Sequence, residues 1–169
     1  MKLLNLRTLT LAAMLLALAA AAHAGGGMGT RLPDIEVNSL SGDPIRIHPG
    51  GGEPLLVIFW NSWCANCRRE LPALAESLQS MEPGSLRVLA VNTGINDARE
   101  KALGYWKRSG FPFPSGYDEG FRLTTDMAVM GVPLILLVDA EGVVRYRQAS
   151  LPEDLEARVK QLKRPRPGG

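Results

Sequence analysis

Cysteine and histidine are scarce in this chain of 169 residues, with two of each. A small domain stapled by several disulfides is excluded. Cys64 and Cys67 can close only a tiny loop, which removes little chain entropy and makes a poor staple. A structural zinc site needs about four ligands; there is no second cysteine pair, His23 lies in the leader, and His48 stands alone in a loop. Arg68 follows Cys67, so this is not a Cys-x-x-Cys-His haem attachment. Phosphate-loop and dinucleotide fingerprints are absent. A dominant charge sign is missing too: 19 basic residues face 17 acidic ones. Setting aside Lys2 and Arg7 leaves 17 against 17, which gives no electrostatic case for nucleic acid or an anionic membrane as a partner. No cofactor beyond a redox-active disulfide is expected, and no metal ligand set is assigned.

One long apolar run is present, and it lies at the N-terminus. Lys2 and Arg7 precede the apolar stretch from Leu9 to Ala22, and Ala22-His23-Ala24 offers small residues for signal peptidase. Residues 1–24 are therefore expected to be a signal peptide, which places the mature chain in the bacterial periplasm and off the membrane. A retained anchor is the other reading, although Asn5 and Arg7 interrupt the span. No cysteine at the cleavage point supports a lipoprotein. The rest is one domain's length. Residues 25–31 read as a flexible glycine-rich lead-in, 32–163 as the folded domain, and 164–169 as a disordered tail.

Within the domain, Ile35-Glu36-Val37 and Ile45-Arg46-Ile47 alternate around Ser41-Gly42-Asp43-Pro44, as a hairpin with one wet face would. Three apolar runs at Leu55–Trp60, Arg87–Asn92 and Leu134–Asp139 predict strands covered on both faces. Leu71, Leu74, Leu78 and Met81 recur at helical spacing. A second helix is predicted over Asp97–Ser109, with Asp97 as N-cap and Gly110 as stop. Tyr117–Met130 reads as partly helical. Val143–Gln148 alternates as an antiparallel edge strand, and Pro152–Leu162 reads as a last helix with a Leu155, Val159, Leu162 stripe. The expected class is α/β: a central mixed sheet with helices on both faces and an N-terminal β-hairpin.

The cysteines sit where the first apolar strand gives way to a helix, as Trp63-Cys64-Ala65-Asn66-Cys67. Unpaired N–H groups in a first helical turn carry partial positive charge and favour a thiolate at Cys64. Cys67, one turn inward, should be more buried. The expected roles follow: Cys64 attacks a substrate disulfide and Cys67 resolves the mixed disulfide. Glu70, three residues beyond Cys67, neighbours it on the helix. Burial among Leu71, Leu74 and the strand residues would make it a proton carrier for Cys67; helix geometry alone favours a solvated residue beside Arg68 and Arg69. Pro72 should kink the helix. Pro133 either opens a buried strand, where proline is tolerated, or forms a cis bond shaping a binding ledge. Trp63 is expected to cover Cys64 and face substrate, whereas Trp60, Tyr105 and Trp106 are expected to pack.

Phe59-Trp60, Trp63-Cys64-x-x-Cys67, Pro72 and Gly131-Val132-Pro133, in that order and spacing, together resemble the thioredoxin fold. Cys67-Arg68-Arg69-Glu70-Leu71-Pro72 is similar to the Cys-x-x-Glu-x-Pro stretch of the exported TlpA/ResA-type thiol-disulfide oxidoreductases, a branch that includes proteins serving cytochrome c maturation. The resemblance spans roughly Leu32–Leu162. It implies a thioredoxin-like three-layer sandwich and a protein disulfide reductase with a redox-active Cys64–Cys67 disulfide. It also implies a cis Pro133 facing that disulfide, Val132 backbone pairing with an extended substrate, and Glu70 tuning the buried thiol. Ile58 stands where thioredoxin has a buried aspartate. Ala65 and Asn66 occupy the redox-tuning positions between the cysteines; relatives usually place proline where Asn66 stands, and many have threonine where Leu134 stands. The implied partners are a client protein with a disulfide or dithiol and a membrane thiol reductase that supplies electrons. Two further readings stay open: an oxidant for folding proteins, and a Cu(I) metallochaperone in which Met127 and Met130 assist the thiolates, though such methionines more often fill core gaps.

Overall fold

The computed structural model describes residues 26–163. The expected signal peptide and the tail 164–169 lie outside the described residues. In chain order the elements are β1 (Ile35–Ser39), β2 (Pro44–Ile47), β3 (Leu55–Trp60), α1 (Cys67–Ser80), β4 (Arg87–Asn92), α2 (Arg99–Ser109) and β5 (Ser115–Tyr117). A turn of 3-10 helix (Glu119–Phe121) follows, then α3 (Arg122–Asp126), β6 (Leu134–Val138), β7 (Val144–Gln148) and α4 (Leu155–Leu162). The strands form one mixed sheet in the order β2-β1-β5-β4-β3-β6-β7.

The unbroken apolar run of β3 has a simple cause. Side chains alternate along a strand, and both faces of this one are covered. Leu56, Ile58 and Trp60 join a core with Leu71, Leu74, Ala102, Leu155 and Val159, beneath α1, α2 and α4. Leu55, Val57 and Phe59 join the opposite core with Leu32, Ile35, Leu123 and Met127, beneath α3 and the hairpin. β4 divides in the same way: Val88 and Ala90 face the first core, Leu89 and Val91 the second. Each fully buried Leu, Ile or Phe contributes about 1.5–3 kcal/mol, so the two cores supply most of the driving force. Trp60 is fully buried; its ring packs on Tyr105 and Trp106, and its Nε1–H donates to Ser115 Oγ at 3.0 Å. The packing roles expected of Trp60, Tyr105 and Trp106 are those observed.

Several boundaries move. Helix α1 is regular from Cys67, later than expected, although the Cys64 carbonyl already accepts the Arg68 N–H at 3.2 Å. Pro72 sits inside α1 on its exposed face, next to Arg68 and Arg69, so the carbonyl it leaves without a helical donor faces water. Helix α2 ends as expected at Gly110, whose φ of 63° places it in the left-handed region that closes helices. Its start does not match: the helix begins at Arg99 with Ala98 at the cap, and no side chain caps it. Asp97 points elsewhere. The helix predicted from Pro152 begins at Leu155. β5 lies at the edge of the stretch read as helical. It is three residues long, too short for a periodic signal, and is held by pairing with β4 and β1.

Residues 26–31, expected as a flexible lead-in, are hydrogen-bonded to the β7 side of the domain. Gly29 N–H donates to Val144 O at 2.8 Å, Val144 N–H to Thr30 O at 2.9 Å, and Arg147 Nη1 to Gly26 O at 2.9 Å. Gly29 and Thr30 thus pair with the backbone of β7 at Val144.

Two expectations follow. A Cβ at Gly116 would lie 2.5 Å from Val37 Cγ1, where the hairpin joins the sheet. Gly116→Ala should therefore cost about 1–3 kcal/mol, measured as a lower urea midpoint. Asp139 closes the β6–β7 turn. Burial pushes its carboxyl up, but bonds from Val143 N–H, Arg145 and Glu141 N–H outweigh this and hold it below the ordinary 3.8. A depressed carboxyl contributes stability above its unfolded value that is lost as pH falls through its folded value. Asp139→Asn should lower stability at neutral pH and flatten the loss below 3.8, checked by urea unfolding across that range.

Candidate active site

The parallel pairing of β3 and β4 puts Trp60 opposite Asn92, so the segments after both strands emerge at one end of the sheet. Antiparallel pairing of β3 with β6 sets Phe59 against Leu134, which brings Val132 and Pro133 to that same end. Sequence-distant residues 61–67, 92–97 and 130–133 thus share one site.

Cys64 and Cys67 are joined as a disulfide, with Cα atoms 5.2 Å apart. Cys64 precedes α1, and its Sγ accepts the Cys67 N–H at 3.0 Å. It occupies the place of a helix-capping side chain, where unpaired N–H groups favour a negative sulfur. Val132 O lies 3.4 Å from the same sulfur. Cys67 is wholly buried in the core with Ile58 and Leu71, and Cys64 joins the same core but keeps 5% exposure. Ala65 and Asn66 are exposed, and the Asn66 side chain makes no capping bond.

Glu70 is buried, at 8% exposure. Its Oε2 accepts Leu151 N–H at 2.9 Å, from the segment between β7 and α4, and Arg69 Nε lies 3.6 Å from Oε1. The solvated reading of Glu70 does not hold. The Val132–Pro133 peptide is cis, and Pro133 is buried. Trp63 is exposed, with its Nε1–H donating to Ile95 O at 3.0 Å. Trp63, Ile95, Val129, Met130 and Val132 line a cleft of about 160 Å³ with Asn61 and Thr93. Met130 is 96% exposed. Met127 is buried in the core on the opposite sheet face from the cysteines, so the fold does not bring it to the pair. His48 is exposed beside Asp34, at 2.5 Å. Among the described residues, no group of three or more metal-ligating side chains is assembled.

One part of the site was not read from the sequence. Asp97 is 2% exposed and accepts three hydrogen bonds: from Ser62 Oγ at 2.5 Å, Ser62 N–H at 2.6 Å and Asn92 Nδ2 at 2.7 Å. Asn92 Oδ1 accepts Gly94 N–H at 2.9 Å, and Thr93 Oγ1 donates to Asn61 Oδ1 at 2.8 Å. Asn61 O in turn accepts the Cys64 N–H at 3.2 Å. Bonds to a charged acceptor are worth roughly 1.5–3 kcal/mol each, so three of them offset the several kcal/mol of burying a carboxylate. The available signal was polar residues at the C-terminal ends of two apolar strands, Asn61-Ser62 and Asn92-Thr93. Parallel strands bring such residues together.

The sequence profile of the AhpC/TSA family matches residues 28–147. The chain is 35% identical over 109 residues to the thiol:disulfide interchange protein DsbE of Escherichia coli K12, covering 64% of this chain and 54% of that protein. It is 26% identical over 138 residues to the thiol-disulfide oxidoreductase ResA of Geobacillus kaustophilus, covering 80% and 78%. The thioredoxin domain of a thiol-disulfide oxidoreductase from Bacteroides vulgatus superposes with a TM-score of 0.69 at 21% identity, covering 82% of this chain and 99% of that one. The chain spans about half the length of the DsbE proteins it matches. It belongs to the AhpC/TSA family and has the thioredoxin-like fold; its named relatives agree with the TlpA/ResA-type resemblance.

Proposed function

We propose that this member of the family is an exported thiol-disulfide oxidoreductase that reduces a disulfide in a client protein. The observation that carries the reading is the asymmetry of the pair: Cys64 Sγ accepts a backbone N–H at the start of α1, while Cys67 is sealed in the core. In the reduced protein the Cys64 thiolate attacks one client sulfur. The client S–S bond breaks, a mixed disulfide forms, and the other client sulfur leaves as a thiolate that takes up a proton. Cys67 then gives up its proton and attacks Cys64 Sγ, which expels the second client thiolate. The protein ends with the Cys64–Cys67 disulfide, and two electrons have passed to the client.

In this reading Val132 supplies backbone for an extended client segment, Pro133 fixes that ledge, and Trp63 covers the approach to Cys64. Glu70 serves the proton that Cys67 must lose; its burial and its position on α1 support the role. Ala65 and Asn66 set the potential of the couple. The leader supports export to the periplasm, where a membrane thiol reductase would reset the disulfide and the client would belong to cytochrome c maturation or metalloenzyme assembly. Among the described residues no helix is long and apolar enough to cross a membrane.

Cys67→Ser should leave Cys64 in mixed disulfides that mass spectrometry identifies; adducts held only by Cys64→Ser would reverse the assigned roles. Glu70→Gln can still accept the Leu151 N–H, so it should fold normally while the pH profile of thiol alkylation moves by on the order of one unit. An unchanged profile would return Glu70 to a packing role.

A further inference from the structure

We propose that Asp97 is a positioning residue for this exchange: its buried carboxylate clamps Ser62, two residues before Cys64, and thereby sets the loop from which Cys64 presents its sulfur. The inference rests on the proposed exchange and adds a residue to it.

Three features carry it. First, the carboxylate is turned away from the helix it precedes. Helix α2 has no side-chain cap, whereas Asp97 receives both the backbone N–H and the hydroxyl of Ser62. Secondly, Asp97 is itself fixed: its carbonyl accepts the Tyr117 hydroxyl at 3.0 Å, and the Arg99 guanidinium lies over the Tyr117 ring at 4.8 Å. Among the described residues no basic side chain forms an ion pair with it. The loop's own donors hold the charge. Thirdly, the clamp lies directly upstream of the nucleophile. The Asn61 carbonyl, one residue before Ser62, accepts the Cys64 N–H, and the Trp63 indole, one residue after, reaches Ile95 O between Asn92 and Asp97. Asn61, Ser62 and Trp63 are thus each tied to residues 92–97, Cys64 is tied back to Asn61, and Asp97 makes the two shortest of the ties between the segments.

A positioning role and a field effect differ in sign. Removing a nearby negative charge favours a thiolate and would speed Cys64. Releasing Ser62 lets the sulfur leave the Cys67 N–H and slows it. The test compares Asp97→Asn and Ser62→Ala with the unaltered full chain. Iodoacetamide alkylation of reduced Cys64 is followed across pH, and circular dichroism and the urea midpoint report the fold. Asp97→Asn can face its amide oxygen to Ser62 N–H and Asn92 and its N–H₂ to the Ser62 hydroxyl, so it should fold; losing the charge weakens each of these bonds, so it should alkylate at least about tenfold more slowly at neutral pH, with the profile moved to higher pH. Ser62→Ala keeps the charge and the backbone bond and should shift the same way by less. A folded Asp97→Asn that alkylates at the original rate, or faster, overturns the proposal. If Asp97→Asn does not fold, an unchanged profile in Ser62→Ala overturns it instead. Alkylation needs no client, so failure here is distinct from failure of the exchange reading, which would show as no mixed disulfides in the Cys67→Ser trap.

Discussion

The site depends on how β3 leaves the sheet. Every residue of β3 is buried, and the strand is paired on both sides, so the chain must exit at Trp60 from the centre of the molecule. A loop there carries backbone N–H and C=O groups that water reaches poorly, and each unpaired one costs about 1–3 kcal/mol. The polar residues at the ends of β3 and β4 and just beyond them answer that constraint. Asn61, Ser62, Asn92, Thr93 and Asp97 are all buried, and they bond one another and the loop backbone. The loop is therefore rigid where it hands over to α1, and Cys64 stands at that handover.

Rigidity matters because the two sulfurs need opposite environments within four residues. A nucleophile must be reachable and stabilised as an anion; a resolving thiol must wait. The start of α1 separates the two. Cys64 takes the place of a cap and borrows the Cys67 N–H, while Cys67 is the first residue of regular helix and turns into the core against Ile58. Between them, Ala65 and Asn66 face solvent. A proline at position 66 would have fixed the backbone there; asparagine leaves the conformation to the Asn66 carbonyl, which accepts the N–H groups of both Arg69 and Glu70 at 3.0 Å.

What could be read from the chain follows from which forces leave a local trace. Burial on both faces leaves unbroken apolar runs, so β3, β4 and β6 were legible; so were the hairpin and the edge strand, which alternate. The Trp63–Cys67 motif and the family resemblance were legible because they are contiguous. Asp97 was misread because an aspartate just before a helix has an obvious local use, and only the parallel register of β3 and β4 gives it a better partner in Ser62, 35 residues away. β5 was missed because its three residues are held by neighbours on both sides and not by a pattern of their own. The docking of 26–31 was missed for a related reason: backbone pairing at Gly29 and Thr30 uses no side-chain signal.

Two buried carboxylates flank the cysteine pair in the fold, and their surroundings divide their work. Asp97 has both oxygens occupied by donors at 2.5–2.7 Å. Such a group holds its neighbours in place. Glu70 has one close donor, Leu151 N–H, and its other oxygen meets only Arg69 at 3.6 Å. The proton role proposed for Glu70 needs an oxygen clear of close donors, and Oε1 has none nearer than Arg69. Ile58, fully buried beside Cys67 in the same core, cannot exchange protons from the strand. The fold thus places after β4 a carboxylate with both oxygens bonded by the loop, and on α1 a carboxylate with one oxygen clear of close donors, which is the arrangement the proposed exchange asks of Asp97 and Glu70.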